Sequence, residues 1–150
     1  MVKDMKKIII IICISITSLL LAFMISVPVV NNYTAKKIVD DLQNIPLPDF
    51  TSYIESIYGA GKYTGNGNGM QYFGCILIRS DLGTEELQKY YSLYVSDEYK
   101  CIVEEQHEQK LKFIEHGNLS FDKEVGENCY IVYCWESGNE FYSQLDIRGH

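Results

Sequence analysis

Positive charge is scarce in this chain. Its 150 residues carry 13 Lys and Arg against 20 Asp and Glu, a net charge of −7. The deficit is one-sided: residues 1–30 sum to +2 and residues 31–150 to −9. Nucleic acid is therefore not an expected partner, because phosphate backbones select clustered Lys and Arg. The same balance counts against residues 31–150 lying flat on anionic lipid. Proline is rare too, with three residues, and two of them, Pro46 and Pro48, stand almost together. Residues 31–150 hold no G-x-S-x-G and no H-E-x-x-H, so neither a nucleophile elbow nor a zinc-protease helix is announced.

A 23-residue, largely apolar stretch from Ile8 to Val30 holds no charged residue. About 20 apolar residues span a bilayer as a helix. A cleaved signal peptide has a shorter apolar core and a small-x-small exit. Here Met24 precedes Ser26 by two positions and Tyr33 precedes Ala35 by two, so neither exit fits. Cys13 comes after Ile11 and Ile12, unlike a lipid-attachment Cys, and reads as an apolar filler. The expectation is an uncleaved transmembrane anchor over 8–30. Lys3, Lys6 and Lys7 precede it, while Lys36 and Lys37 are offset by Asp40 and Asp41. This bias predicts residues 1–7 as a cytoplasmic tail and the carboxyl-terminal part outside, in a single-pass arrangement at the cell membrane.

After the span, Ala35, Ile38, Val39 and Leu42 recur at helical spacing. They predict a short amphipathic helix or a continuation of the anchor. Pro46 and Pro48 then force an extended path. Residues 31–48 thus read as a juxtamembrane helix and proline spacer, with an extracytoplasmic domain over 49–150.

Within that domain, Thr51–Tyr58 reads as a strand. Met70–Ser80 reads as a stronger one, apolar on both faces and so central. The stretch "LGTEELQKYYSLYV" predicts a helix, with Glu85 and Glu86 in its first turn and Leu87, Tyr90, Tyr91, Tyr94 and Val95 along one stripe. The tyrosines are expected to pack on the sheet with their hydroxyls at the rim. Strands are also predicted at "KCIVEEQ", as a pair around His116-Gly117-Asn118, at Cys129–Glu136, and over "EFYSQLDI". In the last, Phe141, Leu145 and Ile147 would face the core, with Tyr142, Gln144, Asp146 and Arg148 towards water. The sum is an α+β fold: a transmembrane helix, then a two-layer domain of mostly antiparallel sheet with one main helix on one face. Leu87, Tyr91 and Tyr94 are expected to pack on Ile76, Ile78 and Ile131.

The candidate site is "TGNGNGMQYFG". Gly65, Gly67 and Gly69 alternate with Asn66 and Asn68. A phosphate loop needs a Lys after its glycines and a helix behind it. A dinucleotide fingerprint also needs the helix. The next element here is a strand, so the stretch reads as a hairpin turn, for which Asn-Gly in a type I′ conformation is apt. Its length exceeds what a two-residue hairpin requires. If this domain holds a ligand through backbone groups, Gly65, Asn66, Gly67, Asn68 and Gly69 are the expected place.

Cys75, Cys101, Cys129 and Cys134 make an even set outside the span, open to disulfides of unassigned pairing or to four buried thiols. Cys129 and Cys134 are too far apart for a C-x-x-C metal pair. His107, His116 and His150 are scattered, and Glu104, Glu105 and Glu108 lack a calcium-loop pattern. No metal or cofactor is expected.

The stretches "IPLPDFT", "GKYTGNGNGMQYFGCILIRSDLGTEELQKYY" and "LDIRGH", behind an amino-terminal anchor, resemble small single-span membrane-anchored proteins of low-GC Gram-positive bacteria. The resemblance covers most of 49–150. It implies location and layout and transfers no catalytic residue, since that family has no known activity. Together these readings point to a membrane-tethered extracytoplasmic module that binds a protein partner at the cell envelope. The alternatives are an envelope enzyme with a site near the Gly-Asn hairpin, using Cys75 or a His, and an immunity or inhibitor protein whose acidic surface meets a basic partner.

Overall fold

The computed structural model describes residues 2–94 and 101–150. Val95 of the predicted helical stripe and Lys100 of a predicted strand lie outside the described residues.

One helix, α1, runs from Val2 to Asn44 with Pro28 inside it. The strands are β1 (Thr51–Gly61), β2 (Met70–Ser80), β3 (Ile102–Glu105) and β4 (Cys129–Gly138), with a short helix α2 (Thr84–Ser92) between β2 and β3. After β4 come α3 (Phe141–Leu145) and a 3-10 turn (Ile147–Gly149). The strands form one antiparallel sheet in the order β1-β2-β4-β3. The fold is α+β, as the sequence predicts.

β2 is central because both of its faces are apolar. Tyr72, Ile76 and Ile78 point to one side, and Phe73, Cys75 and Leu77 to the other. The first side is covered by helices. Ala35, Ile38 and Leu42 of α1 and Leu87 and Tyr91 of α2 pack there with Val103, Tyr130 and Val132. The second side is covered by the irregular segment 106–128, through Leu111, Ile114 and Phe121. Gly74 marks where α1 crosses the sheet. A Cβ there would lie 2.8 Å from Ile38 Cβ and 3.1 Å from the backbone nitrogen of Val39, so only glycine lets the helix approach this closely.

Several expectations are corrected. Residues 31–44 continue the anchor as helix, one of the two forms expected, with Pro46 and Pro48 non-helical behind it, but they do not stand apart from the domain: Ala35, Ile38, Val39 and Leu42 are core residues. An amphipathic stripe gains from a partner, and the sheet provides one, so α1 runs on unbroken through Pro28 and the domain begins well before residue 49. The main helix on the sheet is therefore the carboxyl-terminal half of α1, with α2 beside it. Tyr94 is exposed, and Ile131 faces the segment 106–128 rather than α2.

The two strands expected around His116-Gly117-Asn118 reduce to a single bridge between Lys110 and Ser120. That segment spends its apolar residues on covering the sheet instead of extending it. The strand expected over "EFYSQLDI" is instead helical over Phe141–Leu145, and the expected core face is not buried. Phe141, Leu145 and Ile147 are exposed, whereas Asp146 is buried. Residues four apart, such as Phe141 and Leu145, share a helix face as readily as a strand face, so alternation over so short a stretch does not decide.

Candidate functional site

β1 and β2 form a hairpin whose ladder closes at Gly61 and Gln71. The connection, residues 62–69, is too long for a two-residue turn. Gly65 and Gly69 have φ of 76° and 155°, while Asn66 and Asn68 keep negative φ. A type I′ turn needs positive φ at both central residues, so that expectation is corrected. The loop takes its shape from side chains.

Gln71 Oε1 accepts from the backbone N–H of Tyr63 and Thr64 at 2.8 and 2.9 Å, and Gln71 Nε2 donates to Thr64 Oγ1 at 3.0 Å. Gly65 is clamped at both ends. Its N–H donates to Glu115 Oε2 at 2.8 Å, and its carbonyl pairs with His116 Nε2 at 3.0 Å. The backbone N–H groups of Glu115 and His116 both donate to Tyr63 O. From the carboxyl end, Lys62 N–H donates to Arg148 O and Gly69 N–H to Gly149 O. The extra length of the turn thus lets one loop bond two distant segments. His116, read from sequence as a turn residue, is one of its clamps.

Two shallow clefts flank this loop and share Thr64, Gln71 and Ser137. One, about 230 Å³, is floored by Phe113, Tyr133 and Trp135 beside Glu136. The other, about 330 Å³, is rimmed by Gly67, Asn68, Gly69, Gly138 and Asn139. Phe113 stacks on Tyr133 at 4.7 Å, and Tyr133 donates to Glu104 Oε1 at 2.7 Å. Burial, then the bond to Glu104, raises the Tyr133 hydroxyl above the usual tyrosine range. This region offers aromatic faces, amides and hydroxyls, which suit recognition of a polar chain with apolar side groups. Of the predicted site residues, Gly67, Asn68 and Gly69 line a cleft, while Gly65 is committed to the clamp.

All five cysteines are free thiols. Cys75 is fully buried, and burial pushes its thiol up to about 12. A thiol so protonated and enclosed is no nucleophile, which removes Cys75 from the enzyme alternative. Cys101 and Cys134 lie on the helix-covered face and Cys75 and Cys129 on the other. In the ladder Cys75 faces Tyr133 and Cys129 faces Arg79. Four residues of strand, about 13 Å, separate those rows, beyond the roughly 7 Å a disulfide bridges. Cys101 and Cys134 differ. Continuing the β3–β4 register by one residue from Ile102 and Tyr133 places them opposite each other, so this is the pairing the fold leaves open.

The acidic residues of β3 and its exit do not converge. Glu104 accepts from Tyr133, Glu105 sits 3.4 Å from His107, and Glu108 pairs with Lys112 at 3.0 Å.

A second polar centre lies where α1 enters the domain, and sequence reading did not single it out. Asn31 is wholly buried. Its Oδ1 accepts from Tyr72 Oη at 2.8 Å, and its Nδ2 donates to Asp146 Oδ2 at 2.8 Å and Tyr142 O at 3.1 Å. Arg148 donates Nε and Nη2 to the two Asp146 oxygens at 2.9 and 2.6 Å. It also donates Nη1 to Asn32 Oδ1 and Nη2 to Pro28 O. The Arg148 hydrogen bonds, aided by Asn31, hold the Asp146 carboxyl at about 2. The network ties α1, β2 and the carboxyl end into one unit. Its sequence signals were polar Asn31-Asn32 closing an apolar run and the acid-base pair inside "LDIRGH". No protein-family model, curated protein or solved structure matches the chain.

Proposed function

We propose that this chain is a membrane-tethered binding module whose sheet domain stands at the outer face of the cell membrane and receives a protein partner. The observation that carries the reading is the double use of α1. From Ile8 to Met24 it is apolar and bare, and from Ala35 to Leu42 it is part of the sheet core. A helix long and apolar enough to cross a membrane is thus built into the folded domain, with no flexible linker between them. The orientation rests on Lys3, Lys6 and Lys7 before the span.

Partner recognition falls to the paired clefts beside residues 62–69. Trp135 and Phe113 supply partly exposed ring faces, and Gln71, Ser137 and Asn139 supply hydrogen-bonding groups along one rim. Glu136 beside the rings, and a charge of −9 over residues 31–150, favour a partner segment carrying basic residues.

Trypsin applied to wall-stripped intact cells tests the placement. The domain carries Lys62, Lys89, Lys110 and Lys112, and cleavage from outside is expected. A domain that stays whole until the cells are lysed overturns the reading.

A further inference from the structure

Three apolar side chains at the carboxyl end are exposed: Phe141, Leu145 and Ile147 at 63%, 44% and 85%. They are not scattered. Phe141 and Tyr142 lie with ring centroids 6.4 and 6.3 Å from Phe23 of α1. Leu145 and Ile147 line an apolar recess of about 380 Å³ with Phe23, Met24, Val27 and Pro28. The patch therefore wraps the point where the bare half of α1 meets the domain. Contiguous exposed apolar surface of this kind marks an interaction site.

We propose that α3 and the 3-10 turn form a foot that seats in the outer leaflet of the bilayer, a step that rests on α1 crossing the membrane. Length makes the case for lipid as the occupant. Lys6 and Lys7 bound the span at one end. The 17 residues from Ile8 to Met24 rise about 26 Å as a helix, short of the hydrocarbon thickness of about 30 Å. The missing few ångströms bring Val27 and Pro28 to the acyl boundary, and with them everything packed at that level. Leu145 and Ile147 are at that level, and Phe141 lies slightly deeper, beside Phe23. Tilting α1 lowers the height its bare part covers, so tilt deepens the immersion.

The polar groups fall on the correct side. Asn31 and Asp146 are buried above the patch, and Arg148 reaches from Pro28 to Asn32 at the headgroup level, where a long cationic side chain is favourable. The hydrogen bonds from Asn31 to Tyr142 O and Asp146 fix the foot to the helix. The domain then stands on the membrane in one orientation, with the 62–69 loop braced through Arg148 O and Gly149 O.

Tryptophan depth probes on the full chain test this. Ile147→Trp, Ile16→Trp and Leu93→Trp are each reconstituted in phosphatidylcholine vesicles with and without brominated acyl chains, with Trp135 as the shared background. Ile147 and Leu93 are exposed, at 85% and 76%, so neither exchange disturbs the core. Leu93 ends α2, at the Pro46 end of the domain, through the Tyr90 bond to Pro46 O. The expected result is quenching and a blue-shifted emission for Ile147→Trp and Ile16→Trp, and none for Leu93→Trp. If Ile16→Trp is quenched but Ile147→Trp behaves like Leu93→Trp, the foot is wrong and the tether stands. Equal quenching at Leu93 and Ile147 also overturns the foot. If Ile16→Trp escapes quenching, the spanning helix fails and the foot falls with it.

Discussion

The two halves of α1 share one backbone and obey opposite rules. From Ile8 to Met24 every side chain is exposed and almost every one is apolar. From Ala35 to Leu42, by contrast, the exposed positions are Lys36, Lys37 and Asp41, and the buried ones are Ala35, Ile38, Val39 and Leu42. An all-round apolar helix suits lipid, whereas a striped one suits a sheet face. The change occurs over Val27 to Asn32, where Pro28 lies and where Asn31 and Arg148 supply hydrogen bonds. Helicity is continuous although only one half has protein packed against it, because an α-helix satisfies its backbone groups within itself. A helix boundary and a domain boundary are thus separate things here.

Substituting equivalent residues in the two halves should separate them most sharply. Ile38 packs over Gly74 in the core. Ile38→Ala is expected to destabilise the domain by about 3 kcal/mol, as for other buried Ile truncations. Ile16→Ala removes as many methyl groups from the bare half, and should change stability by less than about 0.5 kcal/mol. Urea midpoints of the full chain in detergent micelles measure both. Equal losses would mean that the bare half also holds the domain together.

Acid should act on the junction between the halves. Folding lowers the Asp146 carboxyl from its usual value near 4 to about 2. A lowered carboxyl contributes stability that is complete above the unfolded value and lost as pH falls through the folded one. About 2 kcal/mol should therefore vanish between roughly pH 4 and pH 2. Thermal midpoints across that range, compared with those of Asp146→Asn, isolate this carboxylate from the others. An unchanged pH slope in Asp146→Asn would assign the acid sensitivity elsewhere.

Much of this fold is legible from sequence where one pattern dominates. Met70–Ser80 is apolar on both faces and becomes the central strand with the predicted ends. Cys129–Glu136 obeys the same logic within β4. Reading fails where patterns are short or where the decisive partner is distant. Phe141 to Ile147 alternates, yet its first five residues become helix, and the distant partner that fixes this end is Asn31, bonded to Asp146, a relation no local window contains. Ala35 to Leu42 carries a clear stripe, but nothing nearby in sequence says that β2 will meet it. At the candidate site the glycines locate the loop, whereas its clamp by Glu115 and His116 spans about 50 residues of sequence and is invisible to spacing.

The contrast between what the fold uses and what it leaves free recurs, at smaller scale, inside the loop. Gly65 has φ of 76° and both backbone groups bonded. Gly65→Ala should cost about 1 kcal/mol, because a Cβ disfavours the left-handed region. Gly67 lines a cleft, has ordinary φ, and a Cβ built there meets nothing within 4 Å. Gly67→Ala should leave stability unchanged to within about 0.5 kcal/mol. The pair therefore divides structural from binding roles at two glycines only two positions apart. If Gly67→Ala keeps the thermal midpoint yet weakens capture of a basic envelope partner, the free glycine serves the cleft. If it lowers the midpoint as much as Gly65→Ala, the loop tip is held by the fold, and the cleft loses its best reporter.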